Sequence, residues 1–291
     1  MPNVIDGKTL GSGIAWPDGK RVAVMLTTEF EAETLHISTL ARQGMKAGEG
    51  EFEQGRYAAN EGIWRILRVL DTHDVKSTFF IPGYVIENYP DAVKAVNAGG
   101  HEIAYHGYMH EPDRETSRAE EEAKFAKCEA LIKSVTGKNP VGYRAPHSAV
   151  HPDAFSIIEE RNYLYSSNLR DCDWAYMRDT TNGKPLVEIP CENTMDDFVY
   201  YFYSCTIEPG HRVPFTNQDF ANMVKEEFDA LALEGDKVLV LKLHPHLIGR
   251  AGRVKTLSDL IGYMKTRGAW ITSCEEVANY VVQNTKTEGR A

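Results

Sequence analysis

Two glutamates two residues apart in TTEFEAE, Glu29 and Glu31, follow the apolar run RVAVMLT (21–27). Such a pair at a strand end acts either as one base and one metal ligand or as an ordinary solvated loop. HGYMH carries His106 and His110. On one face of a helical turn, imidazoles at that spacing bind a single zinc ion and leave positions for a carboxylate and water. His101-Glu102 with His106 makes no HExxH pattern, so a zincin is excluded on spacing. GYRAPH contributes Arg144, which is either a guanidinium that holds a carboxylate ionised and aimed or part of a surface turn before Pro146. In LKLHPH, His244 follows a strongly apolar strand. An imidazole there suits a general acid, or else a hydrogen-bonded loop residue. DCDW sets Asp171 and Asp173 beside Trp174, and either acid would orient the His244 ring and raise its pKa.

These residues meet only if the elements bearing them converge. RVAVMLT reads as a strand buried on both faces. Ile63, Ile66, Leu67 and Leu70 form one apolar helical face, and VKSTFFI supplies the next strand. A short helix around DAVKAVNAG, a strand at HEIAY, a long helix opened by the capping box Ser117 to Glu120 and ended by Gly137, and a strand at VGYRA follow. Further strands are predicted at YLYSS, LVEIP, FVYYFY, KVLVLKL and AWIT, with helices near 152–162, 217–234, 256–267 and 274–283. The segment 34–57 lacks a clear period and reads as a lid, a subunit contact or a surface loop. Alternation continues without a linker, which predicts a single α/β domain over 1–291. Periodicity alone fits a barrel or an open doubly wound sheet. The polar residues all stand at predicted strand C-termini, and a closed barrel gathers such ends at one mouth.

Composition narrows the class of function. The chain has 291 residues, 42% of them hydrophobic, enough for a large core. A net charge of −10 without a Lys/Arg cluster excludes a nucleic-acid partner and favours a small-molecule substrate. MPNVIDGKTLGSG has no basic region followed by an apolar one, and no apolar run approaches the ~18 residues of a membrane span. A soluble, cytoplasmic protein with no membrane partner is expected. Five cysteines (Cys128, Cys172, Cys191, Cys205 and Cys274), an odd count without a CxxC pair, suit reduced thiols rather than disulfides or a thiolate zinc site.

Taken together, the carboxylate pair, HxxxH, Arg-x-Pro, Asp-Trp and the late Leu-x-His resemble, in the same chain order, the five motifs of the NodB-homology polysaccharide deacetylases, carbohydrate esterase family 4. The likeness covers about residues 20–280. GHEIAYHGYMHE, TGKNPVGYRAP, LVEIP followed by MDDF, and LHPHLIGRAGR are similar to the intracellular branch that contains allantoinase-like, cyclic-imide hydrolase and peptidoglycan-deacetylase-like proteins. The resemblance implies a distorted (β/α) barrel with seven or eight strands. It makes Glu29 the base, and Glu31, His106 and His110 the ligands of Zn2+ or another divalent transition metal. Arg144 braces the base, a backbone N–H near Pro146 or His147 is the oxyanion donor, and His244 is the acid. Asp173 orients that acid and Trp174 forms a hydrophobic wall, with Asp171 in the orienting role in an alternative register.

The implied activity is metal-assisted hydrolysis of a carbon–nitrogen bond other than a peptide bond. The substrate expected is a small cytoplasmic amide, either a cyclic imide or ureide or an N-acetyl sugar, and the relatives imply a homo-oligomer. Two departures stand out. Glutamate replaces aspartate at both 29 and 31, and His147-Ser148 replaces the usual aromatic-Gly after Arg-x-Pro. The competing readings are a metal-free ureide hydrolase and a non-catalytic binding protein on the same scaffold.

Overall fold

The computed structural model describes residues 14–111, 116–203 and 215–288, together with the backbone of a short antiparallel ribbon, β1 (Val4–Ile5) and β2 (Lys8–Thr9). Strands β3 (Val22–Glu29), β4 (Thr78–Ile81), β5 (Glu102–Tyr105), β6 (Gly142–Tyr143), β7 (Tyr165–Ser166), β8 (Tyr176–Met177), β9 (Val187–Glu188), β10 (Lys237–Leu243) and β11 (Trp270–Ile271) form one sheet. Its order is β10-β3-β4-β5-β6-β7-β9-β8, with β11 also on β3, and only β8 runs antiparallel. The sheet curls, and the chain leading out of β9 closes it against β10. The Lys242 N–H donates to the Met195 carbonyl at 2.9 Å, and Asp196 bridges Lys242 in parallel register. The architecture is therefore the expected distorted (β/α) barrel, with nine strands in its sheet among the described residues rather than seven or eight.

Alternation along the strands builds two apolar layers. Val22, Val24 and Leu26 face the helices, whereas Ala23 and Met25 face the barrel interior with Phe80, Ala104, Val238 and Val240. Every residue of β3 is buried, as a strand covered on both sides requires. The same period of two continues upward. Thr27 and Glu29 of β3, and Lys242 and then His244 after β10, belong to the interior set. Thr28 pairs with Leu243, so Glu29 and His244 emerge side by side at the mouth.

Helices α1 (Thr34–Arg42), α2 (Glu49–Tyr57), α3 (Ile63–Thr72), α4 (Gly83–Asn88), α5 (Pro90–Ala98), α6 (Arg118–Thr136), α7 (Ala154–Glu160), α8 (Asp197–Tyr201), α9 (Asn217–Glu234), α10 (Ala251–Thr266) and α11 (Cys274–Glu288) wrap the sheet. Ile63, Ile66 and Leu70 of α3 are buried, each burial being worth roughly 1.5–3 kcal/mol. Ser117 caps α6 by accepting from the Glu120 N–H, and Gly137 ends it in the left-handed conformation. Segment 34–57 is two short helices rather than a loop. FVYYFY is not a strand: the Asp196 side chain accepts the Phe198 N–H and starts helix α8, which buries Tyr200 and Tyr201. Helix α10 begins at Ala251, earlier than expected, because LIGR turns directly into it. Cys205 lies outside the described residues, and the other four cysteines are free thiols.

A π-turn at Ala58–Gly62 joins α2 to α3 and presses against the loop that follows β10. A methyl group at Gly62 would overlap the Pro245 carbonyl, and Gly249 packs on the Gly62 backbone. Tyr57 donates to the Gly249 carbonyl at 3.4 Å, and the Arg250 guanidinium lies 3.5 Å over the Tyr57 ring. This contact clamps the loop carrying His244. Gly62→Ala is expected to lower unfolding free energy by about 1–3 kcal/mol, the usual cost of overpacking. Denaturant titration checks it, and a change within about 0.5 kcal/mol, typical of a neutral surface site, would contradict the clamp.

Candidate active site

At the barrel mouth, Glu29, Glu31, His106 and His110 each offer one ligand atom, and all four atoms lie within 4.8 Å of one another. The four residues are buried. Glu29 is the last residue of β3, and Glu31 stands two positions on, where Ala32 has a positive φ of 49° and turns the chain into α1. His106 follows β5. The two histidines do not share a helical turn. Gly107 at φ 70° and His110 at φ 58° bend the loop so that the second ring folds back toward the first. Gly107 also packs on Pro146, where a Cβ would come within 2.8 Å of the proline ring. The ring centroids of His106 and His110 lie 5.0 Å apart.

The His106 ring donates Nδ1–H to the Arg144 carbonyl at 2.9 Å, which turns Nε2 toward the carboxylates. That Nε2 lies 3.5 Å from both Glu29 and Glu31. His110 Nε2 is 2.7 Å from Glu31 Oε1 yet outside hydrogen-bond geometry, and Glu31 Oε2, His106 Nε2 and both His110 ring nitrogens have no hydrogen-bond partner. Buried lone pairs that converge without bonding one another suit a cation.

The charge balance points the same way. Burial would raise the Glu29 carboxyl, but the close rings of His106 and His244 and the Arg144 guanidinium hold it well below the usual carboxylate range. Glu31 is lowered against burial by the charges of His110 and His244. Burial disfavours a charged His106, yet the nearness of the Glu29 and Glu31 carboxylates, each 3.5 Å away, carries it up to about 9. The pocket thus draws positive charge, which a divalent cation would supply in place of that proton. Glutamate at 29 and 31 is compatible with the donor set.

Arg144 binds the other side of Glu29. Its NH1 donates to Glu29 Oε1 at 3.1 Å and to Thr27 Oγ1 at 2.7 Å, while Nε and NH2 donate to the carbonyl and hydroxyl of Ser167. The guanidinium also lies 4.2 Å over the Phe80 ring. One Glu29 oxygen is therefore fixed, and the other faces His106 and His244.

His244 closes the mouth from β10, with Nε2 3.6 Å from Glu29 and 3.8 Å from Glu31. Its Nδ1–H donates to Asp197 Oδ1 at 2.7 Å, and Asp197 Oδ2 accepts the main-chain N–H groups of His244 and Ile248. Burial opposes charging the ring, but Glu31, Asp196 and Asp197 hold His244 well above its ordinary value. Burial lifts Asp197 to about 6 against the pull of His244.

The orienting acid is thus Asp197, and neither Asp171 nor Asp173 touches His244. Asp171 accepts a hydrogen bond from Tyr176, and the Asp173 carbonyl accepts from the Val238 N–H. Val238 stands at the far end of β10, about 20 Å of strand below His244. Trp174 lies beside Lys237 at that same end, with Nζ 4.9 Å from its ring, and is no wall of this cleft. The turn after β7 carries DCDW down the barrel before β8 begins. MDDF held the missed signal: two acids at the start of a one-turn aromatic helix, beside the end of β10.

Pro146 is buried under the Gly107 turn. His147 and Ser148 line the cleft in left-handed conformations, φ 53° and 54°. The His147 ring sits 4.3 Å from that of His110, and burial together with that neighbour pushes it down to about 3, so it is neutral. The cleft, about 330 Å³, is lined further by Leu35, Phe198, Val199, Asn193, Asp196 and Lys242. The last three were not anticipated from the sequence. Asp196, Asp197 and His244 also cluster closely. Because Nδ1 of His244 is already bonded to Asp197, that cluster presents an oriented imidazole rather than three free ligand atoms.

Residues 51–166 match the polysaccharide deacetylase family. A peptidoglycan deacetylase-like protein of Gibberella zeae is 28% identical, over 86% of this chain and 82% of its own length. The solved structure of a Mycobacterium smegmatis protein assigned as a polysaccharide deacetylase superposes with a TM-score of 0.86 at 29% identity, covering 94% of this chain and 95% of that one. An allantoinase structure superposes with a TM-score of 0.78 at 26% identity, covering 91% of each chain. Among the described residues no helix is long and apolar enough to cross a membrane.

Proposed function

We propose that this chain, whose residues 51–166 match the polysaccharide deacetylase family, is a metal-dependent hydrolase of carbon–nitrogen bonds other than peptide bonds, acting on a small amide in the cytoplasm. The observation that carries the proposal is the convergence of unpartnered atoms of Glu31, His106 and His110 beside an arginine-braced carboxylate and an aspartate-oriented histidine.

Held by Glu31, His106 and His110, a divalent transition metal such as Zn2+ supplies Lewis acidity toward the amide carbonyl and toward water. Glu29 takes the proton of the attacking water. Arg144 keeps that carboxylate ionised and fixes one of its oxygens, leaving the other for the proton. His244, charged and aimed by Asp197, delivers Nε2–H to the leaving nitrogen. The left-handed turn at His147 lines the cleft and is the place from which a main-chain N–H would stabilise the oxyanion.

A cleft of about 330 Å³ holds roughly one ring. Similarity to an allantoinase supports a cyclic ureide or imide, and similarity to a peptidoglycan deacetylase-like protein supports an N-acetyl sugar. The deciding assay follows ring opening of allantoin, hydantoin and succinimide beside acetate release from N-acetylglucosamine and its oligomers, with metal content measured on the same protein. Ring opening or acetate release by the metal-loaded chain is the expected result, and it selects the substrate. Stoichiometric metal without turnover of any of these amides would overturn the hydrolase reading, and metal-free turnover would overturn the metal requirement.

A further inference from the structure

Lys242 is a cation buried in the cleft wall. It lies on the interior face of β10 two residues before His244, is 4% exposed, and lines the cleft. Its Nζ is 3.0 Å from Asp196 Oδ2 and donates to Asn193 Oδ1 at 3.3 Å. An ammonium carries three N–H groups, and the two oxygens beside Nζ can engage at most two of them in single hydrogen bonds. Among the described lining residues Lys242 is the one lysine or arginine. Arg144, behind it, spends its donors on Glu29, Thr27 and Ser167. Burying a lysine is costly unless it is paired, and a barrel interior closed by an apolar side chain at 242 would avoid that cost. The Asp196 carboxylate is itself engaged elsewhere, accepting the Phe198 N–H through Oδ1. The ammonium is therefore held in place with a donor to spare.

We propose that Lys242 is a specificity-determining residue that binds a carboxylate or carbonyl oxygen on the part of the substrate that is not cleaved. The substrate class is then a small amide with a second electron-rich oxygen, as in an imide, a ureide or an acid-bearing amide. The inference rests on reading this cleft as an amide-hydrolase site. Asp196 competes with the substrate oxygen for the ammonium, so neutralising it acts in the opposite direction to removing the lysine. A lysine that merely neutralised Asp196 would produce no such reversal.

The test is calorimetric binding of succinamate and its uncharged counterpart succinamide to the metal-loaded protein. Lys242→Met should weaken succinamate about tenfold or more, the value of a charge-assisted hydrogen bond, and leave succinamide nearly unchanged. Lys242→Arg should restore part of the loss, and Asp196→Asn should tighten succinamate. Equal weakening of both ligands, no weakening, or no binding to the wild type overturns the proposal. If Lys242→Met does not fold, Asp196→Asn decides alone: tighter succinamate binding supports the assignment, and unchanged or weaker binding refutes it. Because the readout is the affinity of the two ligands and not product formed, failure of the wild type to hydrolyse any amide would sink the hydrolase reading while leaving this comparison decisive.

Discussion

His106→Ala and His110→Ala are each expected to lose bound metal and to lower kcat/KM for amide hydrolysis by at least about 10³-fold, the equivalent of the several kcal/mol of charge stabilisation a metal provides. Either substitution removes one of two imidazoles whose nitrogens face Glu31 and leaves the paired carboxylates of Glu29 and Glu31 underbalanced in a buried site. His147→Ala is the matched control. Its ring also touches His110 and lines the same cleft, but it stands outside the four-residue cluster, so metal content should persist. Elemental analysis and steady-state kinetics on the three variants decide the matter. Stoichiometric metal and activity within tenfold of wild type in the His106 and His110 variants would refute the ligand assignment.

Asp197→Asn is the second large effect, with kcat expected to fall by about 10²–10⁴-fold, the range for a general acid and its orienting partner. An aspartate at 197 accepts from Nδ1–H of His244 through one oxygen and from two main-chain N–H groups through the other. In asparagine the single oxygen can satisfy the main chain, which leaves an NH2 facing Nδ1. The ring then loses the acceptor that stabilises its charged form, and delivery of a proton from Nε2 suffers. Asp171→Asn and Asp173→Asn should stay within about twofold of wild type, as expected of surface changes. Near-normal kcat in Asp197→Asn, or a large loss in Asp173→Asn, would return the orienting role to DCDW.

Much of this arrangement was legible in the chain. The placing of Glu29, His106 and His244 at predicted strand C-termini foretold a common mouth, and the parallel registers bring them to one end. Arg144 was legible too, because GYRAP ends a short strand beside HEIAY. Backbone excursions were not. HGYMH reads as a helical pair, whereas positive φ at Gly107 and His110 brings the rings together through a loop, and nothing in the spacing distinguishes the two routes. The orienting acid was misplaced because DCDW offered an Asp-Trp match that only tertiary geometry could reject. FVYYFY carries strand-forming residues, and the Asp196 cap, one hydrogen bond, overrides that propensity. Lys242 escaped notice because a lysine within an apolar strand shows its purpose only when its facing partners are known.

The β3–β10 ladder also joins two distant parts of the sequence. Glu29, Glu31, His106, His110 and Arg144 all lie in the first half of the sequence, whereas Asp197 and His244 come far later, and β10 completes the neighbourhood of Glu29. Synthesis from the N-terminus therefore completes the carboxylates and imidazoles of the cluster well before the residue proposed to donate the proton. In the proposed mechanism, hydrolysis therefore depends on one of the last strands in the sequence pairing with one of the first.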